Sequence, residues 1–214
     1  GDLTKEAEIL YIKAILPLEL NVEKLDSQFL EEFTDLIYNS QIFIRNVFKD
    51  QSFASLRDVK RCIKIYKWFG KTLSERYNIP FTDFLNIKPS ANMIIRKSFF
   101  LTLAHCYYCR LSSQRELYVK MIEERVSTFK SKYYYENLNF IECLQSEMKY
   151  YISHMNIPTG IAMNSALSEN IFMILVSILN HIPIIVAGKS GTSKSLAMDI
   201  LSSNLNGKAS ANYF

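Results

Sequence analysis

Residues 184–197, "IIVAGKSGTSKSLA", predict how the C-terminal part of the chain folds. The β-branched residues 184–186 are typical of a short buried strand, the glycines after them indicate a tight loop, and residues 196–205 have helical character. A strand, a glycine loop and a helix in this order form the opening of an α/β nucleotide-binding domain. We therefore expect the start of an α/β P-loop domain here, with an incomplete parallel sheet.

The loop "GKSGTSKS" is similar to the phosphate-binding pattern G-x-x-x-x-G-K-S/T, but it has a serine where the pattern has its second glycine. Gly188 and Gly191 give the backbone the freedom to approach a phosphate closely. Lys194 would reach the β and γ phosphates, and Ser195 would offer its hydroxyl to magnesium. Ser193 keeps its N–H donor, although its Cβ restricts φ. The pattern predicts ATP and Mg²⁺ as cofactors; the alternative is a turn of small residues without a ligand.

Residues 1–153 are predicted to be mainly helical. Residues 25–48 keep apolar side chains on one face, and a helix is predicted to start at Ser55, with Asp58 three residues later as in a capping box. This helix also carries four regularly spaced lysines: Lys60, Lys64, Lys67 and Lys71. Pro158 and Gly160 interrupt the helical pattern. The chain is therefore predicted to consist of a helical region, 1–153, and the first part of a P-loop module, 154–214.

Composition and charge limit the classes of protein to consider. The chain has 49% hydrophobic and 13% aromatic residues, which is typical of a globular domain and not of a disordered chain. Residues 51–150 carry seventeen basic and nine acidic groups, whereas residues 1–50 carry five and ten. The basic middle indicates either solvated helix faces or a surface for phosphates or acidic partners. Four cysteines without a secretory signal favour a reducing, cytoplasmic location.

Three further patterns are weighed and set aside. Residues 171–188 have no formal charge, but Asn180, His181 and Pro183 interrupt them, so no transmembrane segment is predicted. The stretch "HCYYC" offers one pair of cysteines, and a structural zinc site needs four ligands, so two buried thiols are favoured. "SKYYYENLNF" could stack on nucleobases, but no nucleic-acid-binding motif surrounds it, and no nucleic acid partner is expected.

Residues 160–197, "GIAMNSALSENIFMILVSILNHIPIIVAGKSGTSKSLA", resemble the start of an AAA+ module in the mysterin family of giant RING-finger ATPases and ubiquitin ligases. That family has a G-I-A-x-N-x-A-L-x-E-N lead-in, an I-P turn and a G-K-x-G-x-S-K-S-L-A loop. The resemblance makes Ser193 a family trait. It implies a nucleotide-binding set made of the loop, the residue after it and one residue of the lead-in: Gly188, Lys189, Ser190, Gly191, Thr192, Ser193, Lys194, Ser195, Leu196 and Ile161.

Residues 52–69, "SFASLRDVKRCIKIYKWF", resemble the S-L-R-D-V-x-R helix in the lid of the preceding AAA+ module of the same family. By this resemblance Arg57 falls at the second-sensor position near the γ-phosphate of that module's nucleotide, and Arg61 could support it. The alternative is a pair of surface arginines on an amphipathic helix. The resemblance implies that the chain spans the junction of two AAA+ modules.

For the longer protein the resemblance implies ATP binding and hydrolysis, and ubiquitin transfer through regions beyond this chain. Ser195 would be the magnesium ligand, and no catalytic residue is expected within the chain. The implied partners are neighbouring AAA+ modules of the same polypeptide and the ubiquitin machinery. Two alternatives remain open at this point: a dynein-like or midasin-like motor without ligase activity, and an AAA+ interaction module without catalysis.

Overall fold

A computed structural model describes residues 4–129, 139–187, 191 and 193–206 of the chain. These residues form nine α-helices joined by short loops and three 3-10 turns. The α-helices are α1 Lys5–Leu20, α2 Ser27–Phe48, α3 Leu56–Arg76, α4 Phe81–Leu85, α5 Asn92–Cys106, α6 Arg115–Thr128, α7 Phe140–Ser153, α8 Ser165–Leu179 and α9 Lys194–Asn204.

The chain divides into two compact units, Gly1–Cys143 and Leu144–Phe214. The predicted division between residues 153 and 154 stays a prediction.

The first unit is built around α3. Helices α1, α4 and α5 pack against it, and α2 packs on α1 and α6. Aromatic side chains fill the space between these helices with ring centroids 4.9 to 6.1 Å apart. The members of this aromatic cluster are Phe29, Phe33, Tyr66, Phe84 and Phe99. Burial of such large rings contributes favourably to the folding of this unit.

The second unit contains α8 and α9, which pack against each other. Asn164 caps the start of α8, since its side-chain Oδ1 accepts from the N–H of Leu167 at 2.8 Å. Leu167, Ile171 and Leu175 are fully buried along α8. Facing side chains of α9, among them Ala197 and Leu201, are buried as well.

The predicted α/β fold with its parallel sheet is wrong. The described residues contain helices, turns and coil but no strand, and residues 182–187 are coil. Ile185, expected inside a sheet, is 93% exposed. The physical reason is that a strand needs a neighbouring strand for its backbone N–H and C=O groups. No other extended segment pairs with residues 184–186 in the described part of the chain.

Candidate functional site

The backbone at the start of α9 has the geometry of a glycine-type turn. Gly191 has φ +81°, and Ser193, the residue before α9, has φ +59° and ψ +18° in the left-handed region. Residues with a Cβ adopt this region seldom, because the Cβ approaches the carbonyl oxygen. The general pattern has glycine at position 193, and the conformation of Ser193 explains why. Sequence reasoning recognised the restriction on φ but not its sign.

The first turn of α9 carries the three residues that follow Ser193. The Ser195 side chain is exposed, and Lys194 and Leu196 are half-buried. Ser193 accepts through its carbonyl from the N–H of Ala197 at 3.0 Å, which closes the first turn. Its side chain makes no capping hydrogen bond to the described residues of α9. The first N–H groups of the helix therefore keep the donor capacity that an anion can use.

The remaining loop positions lie outside the described residues. These are Gly188, Lys189, Ser190 and Thr192. Ile161 of the lead-in is half-buried in a turn, where its N–H donates to the carbonyl of Pro158 at 3.3 Å. The nucleotide-binding set as a whole stays a prediction. The aromatic stretch at 131–138, weighed above as a stacking surface, also lies outside the described residues.

A side-chain amide anchors the far end of α9. Asn204 is 3% exposed, and its Oδ1 accepts from the N–H of Asn156 at 2.7 Å while its Nδ2 donates to the carbonyl of Asn156 at 3.1 Å. The same Nδ2 donates to the carbonyl of Ile200 at 2.8 Å. This amide ties the segment before α8 to the end of α9. Sequence reasoning missed it, because the two partners are separated by 48 residues and no local pattern marks the pair.

The second-sensor candidates lie in the first two turns of α3. Arg57 is exposed and makes no hydrogen bond or ion pair with any described residue. Arg61 is engaged instead, since its Nη1 lies 3.4 Å from Oδ1 of Asp58. Arg110 reaches the same carboxylate oxygen at 3.6 Å. Of the two predicted arginines, Arg57 has the side chain that is available to an anion.

The start of α3 is held firmly. The capping box predicted there forms: Asp58 accepts from the N–H of Ser55 at 2.8 Å. The Gln41 side chain donates to the carbonyl of Ser55 at 2.9 Å, and Arg45 Nε donates to the carbonyl of Ala54 at 2.8 Å. These bonds fix the backbone that carries Arg57, and the two from α2 span 9 and 14 residues of sequence.

Arg45 in turn makes a buried ion pair with Glu8 of α1. The distances are 2.8 Å from Nη2 to Oε1 and 3.0 Å from Nη1 to Oε2, and both side chains are less than 9% exposed. A two-point contact of this kind orients both groups. The pair therefore connects α1, α2 and the start of α3.

Cys106 and Cys109 of "HCYYC", expected to be two buried thiols, are half-buried, whereas Cys62 is buried. Cys62 Sγ donates to the Tyr107 hydroxyl at 3.4 Å, and burial raises the pKa of the Cys106 thiol, with a further contribution from the neighbouring Cys62. A raised pKa keeps a thiol protonated and a poor metal ligand. Among the described residues, no group of three or more His, Cys, Asp or Glu side chains could hold a metal ion.

Residues 160–214 match the family model of the RNF213 AAA domain. The whole chain is similar to three curated proteins, each over 98% of its length: E3 ubiquitin-protein ligase RNF213 of Homo sapiens (32% identity), E3 ubiquitin-protein ligase rnf213-beta of Danio rerio (30%) and E3 ubiquitin-protein ligase RNF213 of Mus musculus (27%). The chain is an RNF213-type sequence. This confirms the family predicted from the loop and its lead-in.

The match extends beyond the loop. It reaches across the helical residues 4–129, where sequence reasoning found only the segment around Arg57. The RNF213-type chain spans 4% of the length of each of these three relatives.

None of the helices in its described part has both the length and the apolar character that crossing a bilayer requires. The similarity favours an RNF213-type AAA module over the dynein-like and midasin-like alternatives.

Proposed function

We propose that the loop at residues 188–195 binds ATP with magnesium, as part of an AAA module in an RNF213-type ubiquitin ligase. The observation that carries the proposal is the left-handed conformation of Ser193 directly before α9. It supports a phosphate-binding turn because the pattern places a glycine at this point. The match of residues 160–214 to the RNF213 AAA domain supports the same assignment.

Each residue of the turn would have a separate role. The N–H groups at the start of α9 would donate to phosphate oxygens, where the helix dipole also favours negative charge. Lys194 would add a positive charge beside the β and γ phosphates. The exposed Ser195 hydroxyl is an oxygen ligand of the kind magnesium takes, and the ion would neutralise phosphate charge when bound.

Hydrolysis and ubiquitin transfer are proposed for the longer protein. We assign no catalytic residue within this chain, because hydrolysis also needs a group that orients water and a further acidic magnesium ligand. The relatives are named E3 ubiquitin-protein ligases, which supports a role beside ubiquitin machinery. Neighbouring AAA modules of the same polypeptide would be the direct partners, and a cytoplasmic location agrees with this role.

Arg57 is proposed as the second-sensor arginine of the preceding module. Its support is its exposure in the first turn of α3 and the absence of a described partner. In the full-length protein, Arg57→Ala should lower ATP hydrolysis, and the matched variant Lys24→Ala, an exposed cation in the α1–α2 loop, should not. Equal hydrolysis by wild type and Arg57→Ala would remove Arg57 from this role.

The binding proposal is tested by ligand-dependent stability. A ligand that binds only the folded chain raises the free energy of unfolding by about 2.7 kcal/mol at one hundred times its Kd. We expect ATP with magnesium to raise the melting temperature of the chain, and ATP with EDTA to raise it less. Ser195→Ala should remove the difference between the two conditions. Ser202→Ala, an exposed serine two turns along α9, is the control that should respond like wild type.

A melting temperature that ATP leaves unchanged, with and without magnesium, would favour the remaining alternative, an interaction module without nucleotide.

A further inference from the structure

Four lysines of α3 form a continuous ridge, which we call the lysine ridge: Lys60, Lys64, Lys67 and Lys71. The steps of four, three and four residues place them on one face of the helix. With a rise of 1.5 Å per residue the ridge is about 16 Å long, with one charge every 5 to 6 Å. Neither the nucleotide loop nor the second-sensor arginine uses it.

The core holds the lysine ridge outward. The face of α3 beside the ridge carries Val59, Ile63, Tyr66 and Phe69, each with 0% exposure. These side chains pack α3 into the first unit, so the helix cannot turn without exposing them. Lys60, Lys64 and Lys71 are exposed, and Lys67 is half-buried. The ridge is thus a rigid array of charges on a fixed helix.

The ridge is only partly neutralised. Lys60 Nζ lies 3.8 Å from Oε1 of Glu19, and Lys67 Nζ donates to the backbone carbonyl of Glu19 at 3.2 Å. Lys64 and Lys71 make no hydrogen bond or ion pair with any described residue. Lys60 is therefore the lysine of the ridge that pairs with a described carboxylate, and the charges of Lys64 and Lys71 face solvent.

We propose that the lysine ridge docks an acidic helix of a partner protein, with carboxylates at three- and four-residue spacing. A helix with glutamates at that spacing presents one negative charge every 5 to 6 Å, which matches the ridge along its whole length. The ridge already makes one contact of this kind, because Lys60 pairs with the carboxylate of Glu19 near the end of helix α1.

The side chains of the ridge favour a carboxylate partner over a nucleic acid. All four are lysines, whose ammonium groups are point charges that can each pair with one carboxylate, as Lys60 does with Glu19. Trp68, next to Lys67, is half-buried and packs edge-on against Phe69 at 4.8 Å, so it does not offer a free ring face of the kind that stacks on nucleobases. An acidic helix requires only the charges that the ridge presents.

The test is fluorescence anisotropy with a labelled 18-residue peptide of alanine and glutamine that carries four glutamates at spacing four, three and four. A second peptide has the same composition with its glutamates spread around the helix. The charge-reversed chain is Lys64→Glu with Lys71→Glu. Its matched control is Lys24→Glu with Lys149→Glu, two exposed lysines outside α3 that make no hydrogen bond or ion pair with described residues. Circular dichroism checks that both remain folded.

We expect the spaced peptide to bind the wild-type and control chains with equal affinity. Its affinity for the charge-reversed chain should be lower by about tenfold or more, and a tenfold loss corresponds to about 1.4 kcal/mol. Salt should weaken the binding. Equal binding of the two peptides would overturn the proposal, as would equal binding to the charge-reversed and control chains. Tighter binding of a single-stranded oligonucleotide or of phosphatidylserine vesicles would also overturn it, in favour of a phosphate surface. The proposal of nucleotide binding at residues 188–195 does not depend on any of these outcomes.

Discussion

Asn204 holds Asn156 through two hydrogen bonds, accepting from its N–H and donating to its carbonyl, so that one side-chain amide replaces a backbone partner. This pair fixes the end of α9 against the segment that leads into α8. Because the proposed phosphate turn lies at the other end of α9, the pair also supports the position of that turn.

Replacing Asn204 with leucine should destabilise the second unit. The variant keeps a similar side-chain size but removes the amide that bonds Asn156 and Ile200, at a cost of about 1–3 kcal/mol in the free energy of unfolding. Urea denaturation followed by circular dichroism measures this cost. Ser202→Ala on the same helix should stay within about 0.5 kcal/mol of wild type. Equal midpoints for Asn204→Leu and wild type would show that the amide pair does not support the fold.

The Glu8 and Arg45 pair leads to a second prediction. Glu8→Gln removes the charge that compensates a buried guanidinium, and we expect a loss of about 3–5 kcal/mol, because an unpaired buried charge is costly. The exposed Glu6→Gln carries the same chemical change and should have little effect. Chemical denaturation compares the two. A loss below about 1 kcal/mol for Glu8→Gln would mean that solvent reaches Arg45 in solution.

The left-handed φ of Ser193 predicts opposite effects for two substitutions. Ser193→Gly relieves the conformational restriction and should leave the stability equal or higher by up to about 1 kcal/mol, whereas the β-branched Ser193→Val should lower it by about 1–2 kcal/mol. Thermal unfolding of the two variants distinguishes them. If valine is tolerated as well as glycine, the left-handed turn is not present in solution.

Buried tyrosines predict a loss of stability at high pH. Burial raises the pKa of Tyr118 well above its ordinary value, and Tyr118 lies 2.9 Å from the Ser40 hydroxyl, which itself donates to the carbonyl of Leu36. A raised folded-state pKa means that the stability is fully present below the unfolded pKa of about 10 and is lost as pH rises toward the folded pKa. When the denaturation midpoint is measured between pH 7 and 11, we expect it to decrease once the pH exceeds about 10.

In Tyr118→Phe, the free energy of unfolding should decrease less steeply above pH 10, by up to about 1.4 kcal/mol per pH unit, because the phenylalanine cannot ionise. It should also cost stability at pH 7 through the lost hydrogen bond. A slope unchanged by the substitution would mean that Tyr118 does not control the alkaline transition.

Local patterns predicted the helices and their starts well. The capping box of Ser55 with Asp58 was confirmed, because a cap depends on residues three positions away. The start of α6 was less predictable, because the structure begins it at Arg115 after Gln114 in a left-handed conformation and without a side-chain cap. A turn of this kind depends on the packing of the helices on each side of it.

Long-range features could not be predicted from local sequence. Residues 184–186 have the composition of a strand, yet a strand exists only where another strand supplies partners, and composition does not provide them. The Asn204 amide, the Arg45 contact to Ala54 and the Glu8 pair all join distant segments. The loop residues Lys194 and Ser195 were found because a short motif fixes their spacing.

The most direct test of the central claim is isothermal titration of ATP with magnesium into the chain and into its Lys194→Ala variant, with Ser202→Ala as control. Circular dichroism of each protein confirms that it is folded. The proposed phosphate turn predicts one nucleotide per chain for wild type and for Ser202→Ala, and no measurable binding for Lys194→Ala. Absence of binding to wild type, or equal affinity for wild type and Lys194→Ala, would contradict it.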